Sequence, residues 1–323
     1  MKKSFKFMGI ALLTFSTVLG GLGVEQQKVE AEQNPLYLEE DYNKKDPITG
    51  KYAPDFSYLD TEENMQLQKD MQNFFNSQPS DSTSSTLSTK LTSDEAEELS
   101  RRVTEFVASY DPEVKLATQS DRQISTYNYD DYFDKYDSKI IEAQLHLAKG
   151  ILSPSQIAGV NTNATGARDH ATRYAKNNGW YTSSGALKTW DNAADTLRHF
   201  AWNWMNANDY GTGIARAAGD IHELALIGAN LLKDGAVNGD VAAAYMANNI
   251  GYRAMTSLGI FNDYFDNPSV MDLLNNSQGR KAFARGYDNY SEPFNIGLNN
   301  GSLIQFPTWI NSTYRNEAWN GWK

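Results

Sequence analysis

Three short stretches of this chain carry polar residues where an apolar helix would be expected. In ADTLRHFAWNWMNA, Asp195, His199 and Asn203 recur every four residues and Asn206 follows three later. A helix would align them on one face and leave Leu197, Phe200, Ala201 and Trp204 to the others. An aspartate one turn before a histidine can accept from one ring nitrogen and fix the tautomer. The other nitrogen is then left as a base or metal ligand. In GDIHE, Asp220 and Glu223 share a face, with Arg216 a turn earlier and His222 about a quarter turn away. In MDLLNNSQGR, Asp272, Asn275, Asn276 and Arg280 fall at intervals of three and four, and Arg280 can clamp a carboxylate or phosphate or pair with Asp272 or Asp220.

The chemistry this predicts is acid–base hydrolysis. His199 would act as general base oriented by Asp195, and His222 and Glu223 as acid, base or metal ligands. Arg198, Asn203, Asp272, Asn275, Asn276 and Arg280 would position substrate. A second reading stays open: such a row can be a hydrogen-bond network that fixes helix register in a non-enzymatic interaction or structural module. Each unsatisfied buried polar group costs roughly 1–3 kcal/mol, so the cluster is either fully paired or kept for a purpose. The chain has no cysteine, which excludes thiol nucleophiles, iron–sulfur clusters and thiolate zinc sites. A metal would need His, Asp, Glu, Asn or water. Two facing histidines allow one divalent ion and argue against a multi-zinc cluster. No nucleotide cofactor is indicated.

The elements that must bring these residues together are helices. Periodicity predicts them at about 165–177, 187–207, 212–234, 239–258 and 268–286, followed by an irregular Gly/Asn-rich tail. The short turn NDYGTG makes the second and third antiparallel neighbours, which would set His199 opposite His222 and Glu223. The expected fold class is all-α, a bundle of about five helices, with an acidic, partly disordered N-terminal region carrying one or two helices before it. Residues 1–31 read as a signal peptide: a basic start, an apolar stretch too short for a span, and a small-residue cleavage site at Ala31. Residues 32–92 read as an extended acidic arm and a Ser/Thr-rich linker. Residues 93–163 read as a helical N-terminal region, beginning with SDEAEELSRRVTEFVASY and its stripe of Leu99, Val103, Phe106 and Val107. Residues 164–323 form the domain carrying the polar site.

Charge is split between the two parts. Residues 32–160 hold 12 Lys+Arg against 24 Asp+Glu, whereas 164–323 hold 13 against 14. Without a basic stripe the chain is a poor partner for nucleic acid. With a signal peptide, no further long apolar run and no lipid-anchor cysteine, it is expected to be secreted without a transmembrane anchor. A Gram-positive bacterium fits, with an extracellular partner or cell-envelope substrate. The run STYNYDDYFDKYDSK lacks calcium-loop spacing and reads as a connector. His146 reads as a core residue, and His170 as a second-rank candidate for the site.

Taken together, ADTLRHFAWN, GDIHE and MDLLNNSQGR resemble the signature of a bacterial family catalogued as domain of unknown function 6973, found in secreted proteins and at the ends of toxin-like chains. The match spans roughly residues 185–285. It implies that Asp195, Arg198, His199, Asn203, His222, Glu223, Asp272, Asn275, Asn276 and Arg280 form one site, and it supplies no activity. The family often carries histidine just after the Asp272–Leu273 pair; this chain has leucine there, which lessens the case for a metal.

Overall fold

The computed structural model describes residues 42–45, 52–54, 56–77, 93–110, 145, 147–183, 185, 187–237 and 239–323. The signal segment, most of the Ser/Thr-rich linker, the Tyr/Asp run and His146 lie outside them. Among the described residues the chain is all-α apart from a short antiparallel pair, β1 (Tyr42–Lys45) with β2 (Tyr52–Pro54), and a single bridge between Tyr181 and Leu187. The helices are α1 (Glu62–Ser77), α2 (Ser93–Tyr110), α3 (Pro154–Asn177), α4 (Ala193–Tyr210), α5 (Thr212–Lys233), α6 (Asp240–Ala254), α7 (Leu258–Tyr264), α8 (Asn267–Ala284), α9 (Ser291–Asn300) and α10 (Ser312–Trp322). No described helix is long and apolar enough to cross a membrane.

The departures from periodicity have local causes. Residues 62–77 lie in the stretch expected to be an extended arm, yet they form α1, which buries Leu67 and Met71. Helix α3 starts eleven residues before the expected 165, because Ser153 and Gln156 make a reciprocal capping box (Ser153 N to Gln156 Oε1, 2.8 Å; Gln156 N to Ser153 Oγ, 3.3 Å) with Pro154 in the first turn. It runs unbroken through the composition shift at Ala164. Helix α4 starts at Ala193 instead of 187. Asp191 there has φ +52°, a left-handed conformation no helix continues through, and Asn192 caps the helix by accepting from Ala194 N at 2.8 Å and Asp195 N at 3.3 Å. We predict that Asn192→Ala costs about 1 kcal/mol of stability, read as a lowered melting temperature; an unchanged melt would mean the cap is dispensable. Helix α8 is capped by Asp266, whose side chain accepts from Ser269 N at 3.0 Å.

The expected helix 239–258 is interrupted after Ala254, and Ser257 caps a new one, α7. The tail read as irregular contains α9 and α10. Helix α10 is tied down by indoles, Trp319 Nε1 donating to Ala254 O at 2.8 Å and Trp322 Nε1 to Gly251 O at 2.9 Å, and by Arg216 Nη2 donating to Gly321 O at 2.7 Å.

Two large apolar cores result among the described residues, beside a small alanine-rich one of Ala171, Ala175 and Ala194. One joins α1 and α2 to α5, α6, α7, α8 and α10 through Met71, Val103, Ile221, Phe261, Phe265 and Met271. The other gathers Phe200, Trp202, Trp204, Tyr290 and Phe294. Burying side chains of this size is worth roughly 1.5–3 kcal/mol each, which lets the fold carry polar residues interleaved between the two cores on α4, α5 and α8.

Candidate active site

Two glycines set the approach of the three helices. A Cβ on Gly279 would lie 2.2 Å from the carbonyl oxygen of Phe200, so α8 meets the α4 backbone directly. A Cβ on Gly219 would lie 3.1 Å from Asn276 Nδ2 and 3.3 Å from Asn203 Oδ1. Helices α4 and α5 are antiparallel as expected: Asn203 meets Gly219, and the rings of His199 and His222 have centroids 5.9 Å apart. Asp195, His199 and Asn203 from α4, His222 and Glu223 from α5, and Asp272 and Asn276 from α8 are all buried. The side chain of Arg198 is 15% exposed and reaches solvent from the same cluster.

A chain of hydrogen bonds decides the tautomer of His199. Guanidinium groups only donate, and Arg280 Nη1 donates to Asn203 Oδ1 at 2.7 Å. Asn203 must therefore present Nδ2 to Asn276, whose Oδ1 accepts at 2.6 Å. The same Oδ1 faces His199 Nδ1 at 3.3 Å, so in the neutral ring that nitrogen carries the proton. His199 Nε2 is left with a lone pair. Around it stand Arg198 Nη2 at 2.9 Å, Asp272 Oδ2 at 3.2 Å and Asp195 Oδ1 at 3.6 Å.

This corrects one expectation. Asp195 does not take a proton from the imidazole; at 3.6 Å it is beyond hydrogen-bond reach of Nε2. Its oxygens accept instead from Arg198 Nη2 at 2.5 Å and from the backbone N–H of Asp191 at 2.9 Å. The orienting acceptor is Asn276, on another helix. The donor atoms of Asp195, His199 and Asp272 lie within 4.8 Å of one another.

Burial, then the positive charges of Arg198 and His222, hold His199 well below the ordinary imidazole range despite its bond to Asn276. Burial, then the negative charges of Asp195 and Glu223, pushes Asp272 well above the ordinary carboxyl range, so its Oδ2 is placed to share a proton with Nε2. Burial raises Glu223 to about 8; His222 and the nearby Ser269 hydroxyl oppose the shift. Ser269 falls short of a formed hydrogen bond, for among the described residues neither Glu223 oxygen has a hydrogen-bond partner. Asp272 Oδ1 and Asn276 Nδ2 have none either. Burial also brings Arg280 down to about 10, with Asp220 opposing. The cluster is convergent and incompletely paired.

Other expected residues lie elsewhere. Asn275 clamps the backbone of Ile304, accepting from its N–H at 3.0 Å and donating to its carbonyl at 2.8 Å. Asn206 pairs with Asn163 at 3.0 Å, and Asp220 with Arg216 at 3.4 Å. His170 bonds to the Tyr290 hydroxyl, in the aromatic core. Two contributors escaped the sequence reading. Thr196 Oγ1 donates to the same Ile304 carbonyl, at 2.8 Å, and fastens the 302–306 segment beside Asp195. Ser269 precedes Asp272 by three residues, a spacing that could have placed it on the site face of α8. Comparison with protein-family models, curated proteins and solved structures returned no match.

Proposed function

We propose that the protein is a hydrolase whose reaction centre is this cluster. A water would be activated where His199 Nε2, Asp195 and Asp272 converge, with Glu223, protonated near neutral pH, as the group that delivers or recovers a proton. The observation that carries this reading is the buried Nε2 lone pair set 3.2 Å from Asp272 Oδ2 and 2.9 Å from Arg198 Nη2, in a cluster where, among the described residues, both Glu223 oxygens are without hydrogen bonds. A network retained only to fix helix register would be expected to satisfy its members, because each one left over costs roughly 1–3 kcal/mol. Arg198, beside Nε2 and partly exposed, is the residue suited to meet an anionic or carbonyl oxygen of substrate.

The three-block likeness to domain of unknown function 6973 and the signal-like first 31 residues support the reading of such a hydrolase as secreted. Its substrate would be a cell-envelope glycan, peptide or lipid, or it would serve as a toxin-like effector. The deciding comparison is wild type against His199→Ala in a thermal melt and in a hydrolysis or toxicity assay on envelope material. Activity should fall at least about 10²-fold with the fold retained. Equal activity in the two proteins would end the proposal, since an architectural histidine can affect turnover only through stability.

A further inference from the structure

We propose that Asp195, His199 and Asp272 bind one divalent first-row metal cation, and that Arg198 is the cation that takes its place in the metal-free protein. This deepens the reading of the cluster as a reaction centre by naming the electrophile that would polarise its water. Nε2 stands 3.2 Å from Asp272 Oδ2 and 3.6 Å from Asp195 Oδ1. Ligand atoms at the corners of a tetrahedron with metal bonds near 2.1 Å are about 3.4 Å apart, midway between the two. The imidazole is also in the required state. The run from Arg280 through Asn203 and Asn276 holds the proton on Nδ1, which leaves the Nε2 lone pair for a cation and supplies the outer hydrogen bond that metal-binding histidines use.

Asp272 adds an independent sign. Its Oδ1 is buried and among the described residues accepts no hydrogen bond, which a bound cation would relieve. Arg198 Nη2 bonds to Asp195 Oδ1 and His199 Nε2, two of the three donors, so guanidinium and metal are alternatives for one position. At 15% exposure the arginine side chain can swing out toward solvent, whereas the three donor side chains are buried. One imidazole and two carboxylates suit zinc or manganese better than the all-oxygen shells of calcium and magnesium.

The test is calorimetric titration of Zn²⁺ and of Mn²⁺ into chelator-treated full-length protein, with the fold of each variant checked by thermal melt. Wild type should take up one equivalent. Removing the competitor in Arg198→Gln should tighten binding about tenfold or more, and removing a ligand in Asp272→Asn should weaken it about 100-fold. Absence of saturable uptake by both wild type and Arg198→Gln overturns the site, and so does affinity untouched by Asp272→Asn, which would put the ion on surface carboxylates. Hydrolysis is read separately. Full activity in excess chelator sinks the metal and leaves the hydrolase, while stoichiometric binding without hydrolysis of any envelope fraction leaves the metal and sinks the hydrolase.

Discussion

Glu223→Gln is expected to make the metal-free protein more stable than wild type at alkaline pH, by up to about 5 kcal/mol above pH 8, and to leave stability nearly unchanged below pH 4.5. The carboxyl is 0% exposed, and burial lifts it from its ordinary 4.5 to about 8. The folded state therefore keeps a proton that the unfolded chain releases above 4.5. Stability from this group is fully present below the unfolded value and drains away as pH climbs toward 8. An amide of the same shape never ionises, so the difference between the two proteins isolates Glu223 from the parallel behaviour of Asp272. Chemical denaturation in chelator at pH 5, 6.5 and 8 reads the slope; equal slopes would show that Glu223 is ionised at neutral pH. If Glu223 supplies a proton during turnover, the stabilised variant should also be the less active one.

Gly279→Ala is expected to lower the melting temperature by about 5–10 °C and to abolish activity together with metal uptake. The added methyl would sit 2.2 Å from the Phe200 carbonyl oxygen and 3.2 Å from Trp204 N, both backbone atoms that no rotamer change can move. Restoring an ordinary carbon–oxygen contact requires α8 to retreat by about 1 Å, which costs roughly 1–3 kcal/mol. The same displacement carries Asp272 and Asn276 away from His199, whose contacts to them are 3.2 and 3.3 Å. Loss of function should therefore exceed what the stability change explains. A variant that melts lower but works at full rate below its transition would show that the helix spacing is not what sets the site.

Legibility in the sequence followed the range of the signal. The antiparallel meeting of α4 and α5 could be read because it depends on a short turn and on residues within one helix period of each other, and it brings His199 beside His222 as that reading required. The stripe of α2 was legible for the same reason, with Leu99, Val103 and Phe106 buried. The partner of each side chain was not. Whether His199 Nδ1 bonds to Asp195 four residues away or to Asn276 on another helix depends on how closely α8 packs on α4, and Gly279, which sets that distance, gives no periodic signature. Asn275 and Asn276 are adjacent and alike in sequence, but one holds a loop and the other an imidazole, because neighbours on a helix point about 100° apart. The C-terminal helices were missed because their apolar contacts are a few large rings spaced for distant partners.

Those distant partners bear on how the protein is made. Arg216 grips Gly321 across 105 positions, Trp322 reaches Gly251 across 71, and Thr196 holds Ile304 across 108. A chain emerging N-terminus first cannot make all of these contacts until α10 has come free of whatever is threading it. A nascent polypeptide paused short of α10 would therefore carry its histidines and carboxylates without the long-range ties of Gly321 and Trp322.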